Sequence, residues 1–101
     1  MNLNLSNKTF IISGSSKGIG LKMIEILLSE GANVVMTGRN KNIIKDKFKI
    51  LKSKYGLKVA YLNGDIKNIS VLKKLKKLVK ERWKTLDGIV ANAGSIKSQT
   101  D

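Results

Sequence analysis

The chain has 101 residues, room for one small domain, and 42% of them are hydrophobic, the share of an ordinary globular protein and not of a disordered one. It contains no cysteine and no histidine, which excludes disulfides, thiolate or imidazole metal sites, and any Ser-His-Asp or Cys-His catalytic arrangement. The net charge of +13 is concentrated between Lys41 and Lys84, where fifteen basic residues outnumber three acidic ones.

Apolar periodicity alternates between two and 3.6 along the chain. Thr9 to Ser13 (TFIIS) is a β-rich run stopped by Gly14 and predicts a buried strand. Over 18–30 the spacing predicts a helix with Ile19, Met23, Ile26 and Leu27 on its buried face, and Gly31 stands where a left-handed C-terminal cap belongs. Asn33 to Thr37 (NVVMT) predicts a second strand. Residues 41–54 predict a second helix, with Ile44, Phe48, Leu51 and Tyr55 as its core stripe and Gly56 at its end. A third strand is predicted over 58–63 (KVAYLN), a third helix from about Ser70 with Leu72, Leu75, Val79 and Trp83 inward, and a fourth strand over 88–92 (GIVAN).

Strands alternating with helices of this length mean βαβ units, and right-handed crossovers then require a parallel sheet covered by helices. The expected class is α/β, a Rossmann-type doubly wound sheet in the order 3-2-1-4. Such a sheet needs cover on both faces, yet only GSIKSQTD follows the fourth strand, so residues 1–101 are expected to form one partial domain that stops in mid-fold. The polar start MNLNLSNKTF lacks the pattern of a secretory signal, and no apolar run has the length of a membrane span, so a soluble cytoplasmic protein is expected. Lys, Asn and Ile are abundant and proline is absent, as an AT-rich coding sequence would favour.

Between the first strand and first helix lies Gly14-Ser15-Ser16-Lys17-Gly18-Ile19-Gly20. Glycines at this junction allow a tight turn, close approach of the backbone to a diphosphate and close helix packing, while helix-start N–H groups favour an anion. A plain surface turn is the alternative. At the end of the second strand, where a carboxylate would meet a free ribose 2′-hydroxyl, stand Thr37, Gly38 and Arg39. Arg39 suits a 2′-phosphate instead, with Lys17 as a second cation, which points to NADP(H) over NAD(H). Asp65, after the third strand, can accept from an adenine amino group or can be a turn aspartate. Asn92-Ala93-Gly94 offers a small, flat backbone at the same sheet edge for a ribose or nicotinamide, or ends the strand in a turn.

These motifs together resemble the N-terminal part of the classical short-chain dehydrogenases/reductases, over residues 6–95. SGSSKGIG is similar to the family's TGxxxGIG loop, Asp65 to its adenine-binding aspartate and Asn92-Ala93-Gly94 to its NNAG segment, with Ser13 in place of threonine and Ala91 in place of the first asparagine. The resemblance implies that Gly14, Ser16, Lys17, Gly18, Ile19 and Gly20 contact the cofactor's phosphates and ribose. It likewise implies adenine contact by Asp65 and Ile66, and nicotinamide-ribose contact by Asn92, Ala93 and Gly94. It also implies an oligomeric oxidoreductase acting on a small carbonyl or alcohol substrate, among them 3-oxoacyl thioesters. The family's catalytic serine, Tyr-x-x-x-Lys pair and further asparagine fall after its NNAG segment, so no catalytic residue is assigned within residues 1–101. Tyr55 has Val59 four residues on and Tyr61 has Asp65, so neither begins such a pair. A binding or regulatory module that holds NADP(H) without turnover is the alternative.

A polyanion-binding surface is a further alternative, because Lys73, Lys74, Lys76, Lys77 and Lys80 lie opposite the apolar stripe of the third helix. The solvated outer face of an α/β helix accounts for the same pattern, and no dedicated nucleic-acid or membrane partner is expected.

Overall fold

Seven elements build the fold in a computed structural model that describes residues 4–14 and 18–91. They run β1 (Thr9–Ser13), α1 (Gly18–Ser29), β2 (Asn33–Thr37), α2 (Lys41–Tyr55), β3 (Val59–Tyr61), α3 (Ile69–Trp83) and β4 (Gly88–Ala91), with a short 3-10 turn (Gly56–Lys58) before β3. The strands form one parallel sheet in the order β3-β2-β1-β4, as the alternation of elements requires.

Side chains on a strand alternate between faces, so the sheet has two cores. Ile12, Val34, Met36 and Val59 point to one side and are closed over by Ile24 and Leu28 of α1 and Leu51 of α2. Ile11 and Val35 point to the other, beneath Leu75 and Val79 of α3. Every residue of β2 is buried, as a strand inside a doubly covered parallel sheet must be. β4 is more open: Ile89 pairs in register with Ile11, hence on the α3 side, and is 41% exposed.

Local chemistry sets the helix ends. The Asn40 side chain accepts from the Ile43 N–H at 3.1 Å, and the Asn68 side chain accepts from the N–H of Ser70 at 2.9 Å and of Val71 at 3.4 Å. Gly31 follows α1 at φ 91°, where the sequence places a left-handed cap. At the entry to β4, Asp87 is tied to Thr9 twice: its carboxylate accepts from the Thr9 N–H and its own N–H donates to the Thr9 carbonyl, both at 2.8 Å. This clamp fixes the register of a four-residue strand in which a slip of one position would exchange Ile89 and Val90 between faces.

Two expectations are corrected. α1 buries Gly20, Ile24 and Leu28; of the predicted face Met23 and Leu27 pack half-buried against the core, whereas Ile19 is 73% and Ile26 47% exposed. The stripe is displaced because α1 is apolar on most of its circumference, so spacing alone does not select a face, and because a glycine begins the buried row. β3 is also shorter than 58–63, since Lys58 belongs to the 3-10 turn and its ammonium donates to the Gly31 carbonyl at 3.2 Å. The stripe of α2 holds, with Ile44 and Leu51 buried and Phe48 and Tyr55 half-buried against the core; in α3 Leu75 and Val79 are buried and Trp83 packs half-buried, while Leu72 is half-buried and Val71 and Leu78 join the core beside the predicted stripe. Lys73, Lys74, Lys76, Lys77 and Lys80 are exposed on the outer face of α3. No described helix is long and apolar enough to cross a membrane.

Ile24→Ala is expected to lower unfolding free energy by about 2–5 kcal/mol. Ile19→Ala should change it by less than about 0.5 kcal/mol. Urea denaturation of the two variants reads the face of α1 directly, and equal losses would reject Ile24 as a member of its buried row.

Candidate functional site

Parallel strands bring all their carboxyl ends to one edge, and the register aligns Ser13 of β1 with both Thr37 of β2 and Ala91 of β4. The segments beyond those ends are where the sequence places its candidate residues. Gly14 leaves β1 at φ 67°, a conformation that favours glycine, and so turns the chain out of the sheet immediately after the buried Ser13. Gly18 opens α1 at φ 62°, and a Cβ built on it meets nothing within 4 Å. Among the described residues nothing fills the space at that Cβ, and the first turn of the helix carries no acidic side chain to repel an anion. Ile19 is exposed beside it, while Gly20 is buried in the packed row. Ser16 and Lys17 of the same loop lie outside the described residues, as do Asn92, Ala93 and Gly94 after β4.

At the end of β2, Thr37 is fully buried, Gly38 half-buried and Arg39 exposed, so the guanidinium leaves the sheet into solvent at the candidate edge. β3 continues this edge beyond its last ladder residue. The Leu62 N–H donates to the Met36 carbonyl at 3.0 Å and the Gly64 N–H to the Gly38 carbonyl at 2.8 Å, while the Thr37 hydroxyl donates to the Gly64 carbonyl at 3.4 Å. These bonds bring the Arg39 and Asp65 segments side by side. Asp65 is half-buried, and one carboxylate oxygen accepts from the Lys67 N–H at 2.9 Å, the turn role weighed for it from sequence. A carboxylate has two acceptor oxygens, so this bond leaves acceptor capacity for a ligand. Ile66 packs half-buried against the α3-side core.

Gly14, Arg39 and Asp65 thus follow strand ends along one sheet edge, the edge at which doubly wound folds bind their ligands. The profile of the short chain dehydrogenase family matches residues 8–101. The chain belongs to that family. It is 37% identical to a 3-oxoacyl-(acyl-carrier-protein) reductase of Chlamydia muridarum, a match covering 93% of this chain and 38% of the relative. It is 36% identical to dehydrogenase/reductase SDR family member 4 of Caenorhabditis elegans over 86% of this chain and 34% of that one. Among solved structures, L-sorbose reductase of Gluconobacter frateurii, complexed with NADPH and L-sorbose, superposes with a TM-score of 0.83 at 30% identity, covering 94% of this chain and 36% of its own. The chain thus spans less than two-fifths of the length of these short-chain dehydrogenase relatives.

Gly64 is the residue of this edge that sequence reasoning passed over. Its signal was present, a glycine directly before the candidate aspartate, but a turn glycine reads the same way.

Gly18→Ala tests the loop. No described residue meets the added Cβ, so the cost expected is that of the left-handed backbone, about 1–2 kcal/mol of unfolding free energy. Urea denaturation checks the value; a loss of ~4 kcal/mol would mean that packing, and not conformation, reserves the position for glycine.

Proposed function

We propose that this chain is the NADP(H)-binding portion of a short-chain dehydrogenase/reductase that transfers a hydride between nicotinamide and a carbonyl or alcohol. The observation that carries the reading is the exposed Arg39, standing one residue past Gly38 where a cofactor with a free 2′-hydroxyl would be met by a carboxylate. A guanidinium matches a 2′-phosphate and leaves a bare hydroxyl without its acceptor. The NADPH complex of the sorbose reductase relative supports the same choice.

In this reading Gly14, Ser16 and Gly18 bring backbone to the diphosphate, with the start of α1 directing its partial positive charge there, and Lys17 is a second cation for the 2′-phosphate beside Arg39. Ile19 and Gly20 meet the cofactor's phosphates and ribose with the rest of the loop, Asp65 and Ile66 contact the adenine, and Asn92, Ala93 and Gly94 the nicotinamide ribose. The bound cofactor supplies the hydride at its nicotinamide C4. The residues of this chain bind and orient it, and among the described residues neither tyrosine is placed as proton donor: Tyr55 packs on the α2-side core, and the Tyr61 ring lies 4.6 Å from that of Phe48. Reduction of a carbonyl needs a positioned acid, so residues 1–101 alone are expected to bind without turnover. For the whole protein a 3-oxoacyl thioester is the substrate we favour, on the names of its reductase relatives.

Fluorescence titration tests the cofactor. Wild-type chain is expected to bind NADPH more tightly than NADH, and Arg39→Ala to weaken NADPH roughly tenfold or more while leaving NADH unchanged, the scale of a hydrogen bond to a charged group. Equal binding of both cofactors by wild type would reject the NADP(H) assignment.

A further inference from the structure

Gly64 joins the ends of β2 and β3 at the point where the two candidate adenosine-binding residues leave the sheet. Both of its backbone polar groups are committed to the end of β2 and the residue after it: the N–H to the Gly38 carbonyl at 2.8 Å, and the carbonyl to the buried Thr37 hydroxyl at 3.4 Å. Arg39 follows Gly38 and Asp65 follows Gly64, so each stands one peptide beyond a shared hydrogen bond. No side chain fits at position 64. A Cβ there would lie 2.9 Å from both Cγ atoms of Val71 in the first turn of α3, and φ is 155°. Val71 is β-branched on a helix, where one χ1 rotamer dominates, so swinging its methyl groups aside costs a disfavoured rotamer.

We propose that Gly64 is a positioning residue that couples the two sides of the adenosine site, holding the Asp65 segment at the distance from Arg39 at which one ligand engages both. The inference rests on the reading of Arg39 as the 2′-phosphate ligand. A side chain at 64, pressed against Val71, forces the segment off β2 and breaks the bond to Gly38. An adenosine seated beside Asp65 then carries its 2′-phosphate out of reach of an intact Arg39.

The test uses two probes on the full chain, adenosine 5′-monophosphate and adenosine 2′,5′-bisphosphate, and reads the ratio of their dissociation constants. Wild type is expected to favour the bisphosphate by roughly tenfold or more, and Arg39→Ala to bring the ratio to about one. Gly64→Ala is expected to bring the ratio to within about threefold of one with Arg39 present, and Val71→Ala on that background to recover only part of it, because room for the new Cβ leaves the strain of φ 155° in place. Partial unfolding lowers both affinities by the same factor and leaves the ratio alone, so the ratio separates positioning from stability. A Gly64→Ala ratio equal to that of wild type overturns the proposal. A wild-type ratio that ignores Arg39→Ala overturns the Arg39 reading and the proposal with it, and a wild type that binds neither probe overturns nucleotide binding itself.

Discussion

Ile11 and Ile12 are neighbours in sequence, fully buried, and on opposite faces of the same strand. Through them β1 is the common wall of both cores, and it is also the strand that pairs with β2 on one side and β4 on the other. A parallel sheet survives in water only when helices cover both its faces, because its strands are apolar on both. α1 and α2 close one side and α3 the other.

The same constraint creates the site. Once every strand runs the same way, all the carboxyl ends and the loops that follow them share one edge. α3 crosses from β3 past β2 and β1 to reach β4, opposite in direction to the crossovers of α1 and α2, so the chain diverges on either side of β1. The glycine loop leaves from that point of divergence. Gly14 turns the backbone out and Gly18 opens the helix, both at positive φ, and Gly20 is buried in the row that α1 turns to the sheet. The side of the edge that carries Arg39 and Asp65 is built differently, from the ends of β2 and β3 joined by the Gly64 N–H to the Gly38 carbonyl.

The large positive charge takes its place on the outside of this framework. The lysines of α3 stand on its solvent face, opposite Leu75 and Val79, and several cations lie over aromatic rings: Lys52 on Phe48, Lys54 on Tyr55 and Arg82 on Trp83. Long basic side chains cover apolar surface with their stems while the charge stays in water. Lys58 is an exception of another kind, since its ammonium satisfies the carbonyl of Gly31 at the end of α1.

The sequence by itself determined the α/β class, the order of elements, the strands β1 and β2 residue for residue, the inward stripe of α2 and the buried Leu75 and Val79 of α3. These depend on local periodicity and on punctuation by glycine, both of which a single chain displays. It also placed Gly14, Arg39 and Asp65 at strand ends, because position relative to a strand is enough for that. Tertiary structure alone decided which face of α1 is buried, since Ile19, Leu21, Met23, Ile24, Ile26, Leu27 and Leu28 cover most of the helix with apolar side chains and only contact with the sheet selects Ile24 and Leu28. It alone decided the clamp between Asp87 and Thr9, seventy-eight positions apart, and the role of Gly64. A turn glycine looks the same in any sequence; what reserves this one is Val71 of a helix packed across the loop, a contact that exists only after the chain has folded.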